Sequence, residues 1–156
     1  MTLTDREIRQ IVAQAVLAPS IHNTQPWRFV AHRGGADEVR LEVYADRSRS
    51  VAVVDPTGRQ LTISCGVAVE FAVLSARAAG QDVALDAFAE PTEPDLLARL
   101  TLTPGRPASA DERALVDAIP LRHTDRDPFD PRPLPKALLD ELRRGVQGCG
   151  AWLRGI

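Results

Sequence analysis

The sequence predicts an α+β fold in which an antiparallel or mixed sheet is covered by helices and one long apolar helix lies buried at the centre. Three observations predict it. Val39 to Tyr44 alternates apolar and polar residues behind the short apolar stretch Trp27 to Val30. Gly58 to Ala79 is apolar around most of a helical circumference, which suits a helix buried between layers. Capping-box spacings at Thr4 and Glu7, and at Ser109 and Glu112, each open an amphipathic run.

In chain order, Thr4-Asp5-Arg6-Glu7 starts a helix over 5–17, with Ile8, Ile11, Val12, Ala15 and Val16 on one face. Pro19 ends it, because its ring nitrogen has no proton to donate. Trp27 to Val30 and Val39 to Tyr44 read as two strands joined through Arg33-Gly34-Gly35, a candidate hairpin. Asp55-Pro56 has the form of an N-cap followed by proline at the first helical position. The helix from Gly58 to Ala79 then carries a stripe of Leu61, Cys65, Ala68, Phe71, Ala72, Ser75 and Ala79, and Gly80 closes it. Val83 to Phe88 and Leu100 to Leu102 are strand candidates, with a short helix expected at Pro94 to Ala98. The second capping box opens a helix to about Ile119. IPLRHTDRDPFDPRPLP, rich in proline and arginine, has the composition of a linker. A last amphipathic helix is expected over Leu134 to Arg144, stopped by Gly145 and Gly148, and Ala151 to Leu153 could begin a strand.

With 156 residues, 44% hydrophobic and 26% charged, the chain has the size and composition of one globular domain. A formal net charge of -2 gives no general pull toward nucleic acid or anionic membranes, so neither is expected as a partner. Lys136 is the only lysine beside a large arginine set; arginine favours forked contacts to carboxylate or phosphate, but a GC-rich coding sequence is the weightier reading of such a bias. Cys65 and Cys149 are too few for a disulfide scaffold, and a charged N-terminus without an apolar run near the ~20 residues of a membrane span points to a cytoplasmic location. The three histidines and two cysteines share no metal-ligand spacing, so no metal is expected.

Two stretches stand out chemically. Ser20, Asn23 and Gln25 beside Trp27 would offer hydroxyl and amide groups to a planar polar ligand, although a capped loop packed by one tryptophan is the commoner structure. His22 reads as structural. Arg122-His123-Thr124-Asp125-Arg126 forms a compact anion receptor suited to phosphate, or equally a solvated charge cluster at a helix end. No phosphate-binding P-loop or dinucleotide glycine motif occurs. Ser64-Cys65-Gly66 lies within the apolar helix and reads as packing, not as a nucleophile, and Asp140 with Glu141 reads as an exposed helix face; no catalytic side chain is therefore expected.

APSIHNTQPWRF resembles the A-P-S-x-x-N-x-Q-P-W-x-F stretch of the nitroreductase superfamily of flavin mononucleotide (FMN) enzymes, and RHTDRDPFD resembles the R-[RH]-[ST]-x-[RK]-x-F-D stretch of the same proteins. Asp55 to Gly80 resembles the long central helix of the Acg-like branch, in which two nitroreductase-like halves are fused. The resemblance implies a nitroreductase-like fold and assigns cofactor binding to Pro19, Ser20, Asn23 and Gln25 on the ring side, with Ser20 and Asn23 at the isoalloxazine and Pro19 and Trp27 shaping the loop. It assigns the flavin phosphate to Arg122, His123, Thr124 and Arg126. It further implies electrons passing from NAD(P)H through FMN to a small nitro-aromatic or quinone-like acceptor, the flavin carrying the chemistry.

The order of the two motifs is the reverse of that in single-lobed members. The chain therefore resembles first-lobe elements over 1–120 and the start of a second lobe over 121–156, within one nitroreductase-like domain. The site is then completed by a homodimer or by a separate second lobe. The alternatives are a noncatalytic flavin-sequestering protein and a cofactor-free remnant.

Overall fold

The computed structural model describes residues 3–35, 37–128, 130–147 and 150–154, so Phe129 of the second motif, the expected stop at Gly148 and the thiol of Cys149 lie outside the described residues. The chain divides into two compact units, Met1–Thr124 and Asp125–Ile156.

In the first unit, helix α1 spans Asp5–Ala15 and is opened by the expected box: Thr4 Oγ1 accepts the Glu7 N–H at 3.3 Å while the Glu7 carboxylate accepts the Thr4 N–H at 2.7 Å. It ends on the cap residue Val16, ahead of Pro19, as Leu17 and Ala18 donate to the carbonyls three residues back. Strands β1 (Trp27–Arg33) and β2 (Val39–Ala45) form the expected hairpin, with Trp27 opposite Ala45 and Arg33 opposite Val39.

Helix α2 spans Arg59–Ala78. Asp55 caps it differently from the N-cap and first-position proline expected: Gly58, at φ 70°, is the N-cap, and the turn closed by the Gly58 N–H on Asp55 O folds the Asp55 carboxylate back onto the N–H groups of Gln60 and Leu61, at 3.1 and 2.9 Å. Burial alone would raise the Asp55 pKa, but the donated N–H groups of the first helical turn hold it below the ordinary carboxylate value. Gly80, at φ 76°, follows the C-cap as expected.

Strands β3 (Gln81–Ala87) and β4 (Leu96–Pro104) complete a four-stranded antiparallel sheet of order β1-β2-β4-β3. The short helix expected at Pro94 to Ala98 is absent. Leu96 and Ala98 are ladder residues, opposite Tyr44 and Val43 of β2, and the backbone partners on both sides override the local pattern of a short apolar run. Helix α3 (Ala110–Ala118) carries the second capping box and passes into a 3-10 turn at Ile119–Leu121.

One core binds these elements, built from Ile8, Ile11 and Ala15 of α1, Leu61, Cys65, Ala68, Ala72 and Ala76 of α2, Val39, Leu41 and Val43 of β2, and Leu100 and Leu102 of β4. Alternation puts Glu42 on the opposite face of the sheet, where it is 6% exposed and accepts from Tyr44 at 2.9 Å, Arg99 at 3.0 Å and the ring of His32 at 3.2 Å. By composition α2 could cross a bilayer, with mean hydropathy 1.5, yet only half of that stretch is buried. The all-round burial expected of α2 is therefore corrected: Leu61, Cys65 and Ala68 face the core, whereas Ile63, Gly66 and Glu70 are exposed.

In the second unit, α4 spans Lys136–Gln147 and runs through Gly145 instead of stopping there. Leu138 and Leu142 are exposed within it, and Ala151 to Leu153 forms no strand among the described residues.

Candidate functional site

The Pro19–Trp27 segment is built around unusual backbone. Ser20 is extended and precedes a 3-10 turn at Ile21–Asn23, and three residues that are not glycine hold positive φ: His22 at 46°, Asn23 at 56° and Gln25 at 50°. Left-handed backbone costs an ordinary residue roughly 1–2 kcal/mol, so the surrounding contacts must hold this loop in place. Several do. The Ser20 hydroxyl accepts the Gln25 N–H at 2.9 Å, closing the loop on itself. From α2, Ser64 Oγ accepts the Ile21 N–H at 3.1 Å and the Cys65 thiol donates to Pro26 O at 3.2 Å. The Asp46 N–H also donates to Pro26 O at 2.9 Å, and Arg49 Nη1 donates to Thr24 O at 3.3 Å. Pro26 and Trp27 are buried beneath, Trp27 being 8% exposed.

This bonding leaves a particular set of groups unspent. The side chains of Asn23 and Gln25 are exposed and make no hydrogen bond among the described residues. The Thr24 hydroxyl is buried and lacks a partner there. The Ser20 hydroxyl proton is undonated among the described residues, where that hydroxyl serves only as an acceptor. The structure thus brings Pro19, Ser20, Asn23 and Gln25 together in one loop, with the Asn23 and Gln25 amides exposed.

Arg122, His123 and Thr124 follow the 3-10 turn and are exposed. The Arg122 N–H donates to Ala118 O and Ile119 O, and His123 Nδ1 lies 3.3 Å from Leu121 O. Glu112 lines one small cavity with Arg77 and Gln81, and Val116 lines another with Ile11, Gln14 and Ser75. Both cavities lie at the C-terminal end of α2, so α3 packs beside that end, and Arg122 follows the 3-10 turn after it. Arg126 belongs to the second unit, where the Asp125 carboxylate accepts the Asp127 N–H at 3.0 Å. Among the described residues neither Arg122 nor Arg126 has a carboxylate partner, in contrast to Arg33, Arg99 and Arg106.

Sequence reasoning missed the clamp. Ser64 and Cys65 read as small-residue packing, which their burial bears out, but each also bonds a loop more than thirty-five residues away in sequence, at separations of 43 and 39. Burial pushes the Cys65 thiol up to about 11, so it stays protonated and able to donate near neutrality. No local signal announces such contacts. No group of three or more metal-ligating side chains occurs among the described residues.

Residues 1–60 match the profile of the Nitroreductase family. Over 149 residues the chain is 37% identical to a Mycobacterium tuberculosis protein provisionally named an NAD(P)H nitroreductase, covering 96% of this chain and 42% of that protein. It is also 33% identical over 146 residues to the provisionally named NAD(P)H nitroreductase acg of the same organism, covering 94% of this chain and 42% of the relative. The chain therefore spans well under half the length of these relatives. A crystal structure of a provisionally assigned nitroreductase from Desulfovibrio desulfuricans, in complex with FMN, shares the fold at a TM-score of 0.55 and 20% identity, covering 86% of this chain and 88% of that one.

Proposed function

We propose that the chain, as a member of the nitroreductase superfamily in its Acg-like branch, binds FMN and serves in an oxidoreductase passing electrons from NAD(P)H to a small nitro-aromatic or quinone-like acceptor. One observation carries the proposal: the Ser20–Gln25 loop, held with three left-handed residues, leaves the amides of Asn23 and Gln25 without partners among the described residues. Strained backbone beside a buried hydroxyl, that of Thr24, with no partner among the described residues is a feature of a ligand site more than of a connecting loop.

The residues present fit FMN by their chemistry. Ser20, Asn23 and Gln25 supply the neutral donors and acceptors that the polar edges of an isoalloxazine need, with Pro19 shaping the entry to the loop. Arg122, with His123 and Thr124, supplies forked and hydroxyl donors suited to a phosphate. Bound FMN would supply the hydride and electron-transfer chemistry. The protein's own part is to anchor the phosphate, orient the ring and exclude water, which requires no nucleophile.

A partner belongs to the same reading. The length shared with the relatives is 42% of theirs, and α2 leaves Ile63 46% exposed on a helix otherwise apolar enough for an interior. A second copy of the chain or a separate second lobe is proposed to cover that side and complete the flavin pocket. A cytoplasmic, reducing setting is proposed as well, in keeping with Cys65 as a buried free thiol.

The purified protein is expected to be yellow, or to become so on adding FMN, to bleach when NADPH is added without oxygen, and to regain colour with a nitro-aromatic compound. Bound colour that resists NADPH would replace the enzyme with a flavin-sequestering protein. Failure to take up FMN at all would leave a cofactor-free remnant.

A further inference from the structure

Two serines on α2 are close to a matched pair. Ser64 and Ser75 are 5% and 6% exposed. Each donates its hydroxyl proton to the carbonyl four residues earlier, Ser64 to Gln60 O and Ser75 to Phe71 O, both at 2.7 Å. With the proton committed there, each oxygen is left as an acceptor only. Ser64 uses that capacity on the Ile21 N–H, at 3.1 Å, while Ser75 has no second partner among the described residues.

We infer that Ser64 is a positioning residue for the Ser20–Gln25 loop, pinning its start to α2 while the Cys65 thiol pins its end at Pro26. The two pins are adjacent on one helix and bracket His22, Asn23 and Gln25, the residues with positive φ. A rigid helical turn thus fixes the separation of the loop's ends. Arg49 supplies a third tie at Thr24 O. The Gln60 carbonyl, Ser64 hydroxyl and Ile21 N–H form a continuous chain in which each bond polarises the next. The inference rests on the flavin reading of this loop, and it makes α2 the element that sets where the ring-side groups stand.

The test compares Ser64→Ala with Ser75→Ala in the full chain. Both variants lose the same hydroxyl-to-carbonyl bond within α2, and only Ser64→Ala also loses the loop tie. Hydrogen exchange at the Ile21 amide is expected to quicken by about tenfold in Ser64→Ala and to stay unchanged in Ser75→Ala. Dissociation constants for FMN and riboflavin, measured by flavin fluorescence, are expected to rise together by about tenfold in Ser64→Ala alone, because the ring-side loop is common to both ligands. Ser64→Thr, which keeps the hydroxyl, is expected to restore both quantities.

Unchanged Ile21 exchange in Ser64→Ala would overturn the positioning role whatever the flavin does. Equal effects from Ser64→Ala and Ser75→Ala would overturn it too, by showing a general response of α2. Quickened exchange with flavin binding untouched would overturn the proposal through its premise, since the loop would then be held but not used. Should the wild-type chain take up no flavin, the flavin reading fails by itself and the exchange comparison still decides whether Ser64 holds the loop.

Discussion

The two ends of α2 spend their polar groups differently. At its C-terminal end, Gly80 O accepts the Gly105 N–H at 3.0 Å, Arg106 grips the Glu112 carboxylate through two guanidinium nitrogens at 2.7 and 2.8 Å, and Glu112 in turn caps α3 through the Ser109 N–H at 2.8 Å. These donors and acceptors bond to one another, and their product is a fixed connection between sheet and helix. At the N-terminal end, Ser64, Cys65 and Arg49 bond to a loop that remains strained and whose own amides are unspent. One end closes the fold; the other holds a strained loop with its amides exposed. Natural proteins tolerate such local conflict chiefly where a ligand repays it, which makes the contrast itself an argument for where the site lies.

The largest expected effect concerns the phosphate contact proposed for Arg122. Arg122→Ala should weaken FMN by about ten- to hundredfold while riboflavin, which lacks the phosphate, changes little, because a charge-assisted bond of roughly 1.5–3 kcal/mol is removed for one ligand only. Titration of both flavins against wild type and variant reads this directly. Equal losses would detach the arginine cluster from the phosphate and leave only the loop as a binding element.

Next comes the closed end. A Cβ on Gly105 would stand 2.5 Å from the Asp82 backbone nitrogen, so Gly105→Ala must displace backbone. Overpacking of this kind costs about 1–3 kcal/mol, and denaturant titration should show it. If the two ends are as separate as their bonding suggests, Ile21 exchange in Gly105→Ala should fall into line with wild type under native conditions. A loop that loosens along with the Gly105 turn would merge the two ends into one cooperative unit.

How much of this contrast was legible in sequence follows from how local each cause is. The boxes at Thr4–Glu7 and Ser109–Glu112 depend on residues three apart, and both formed as their spacing predicts. The hairpin of β1 and β2 was equally legible from period-two alternation. Leu96 to Ala98 was not, because a run of three apolar residues has no period of its own and β2 and β3 decided its conformation. Asp55 was recognisable as a cap, but its reach to Gln60 and Leu61 depends on Gly58 adopting a left-handed turn. The loop's polar content could be read, and Asn23 and His22 are residue types enriched at positive φ; nothing in the spelling of Gln25 announces it. The exposed side of α2 was hidden for a related reason: composition reports how apolar a helix is, not which layers the chain provides to cover it.

Acid separates the ends by a smaller margin. The Arg106 hydrogen bonds, with those from Ser109, hold the Glu112 carboxyl down at about 2, below its ordinary value of 4.5. Its folded-state pKa is depressed, so the stability it contributes is present above the unfolded value and is lost as pH falls from about 4.5 toward about 2. Stability measured over that window should therefore decline more steeply in wild type than in Arg106→Ala, in which the carboxyl titrates nearer its ordinary value. Identical slopes would mean that the grip on Glu112 does nothing for the fold.

The smallest effect cuts most closely to the contrast, because two consequences of one substitution should take opposite signs. Asn23 holds φ 56° with an exposed amide that bonds nothing among the described residues. Asn23→Gly removes the amide and installs the residue that suits left-handed backbone best. Relief of strain should stabilise the unliganded chain by a few tenths up to about 1 kcal/mol, tempered by the greater freedom glycine gives the unfolded chain. Flavin binding should weaken in the same variant. A loop kept in this shape for the fold alone would show the first change without the second, whereas a loop kept for its ligand must show flavin affinity falling where stability does not.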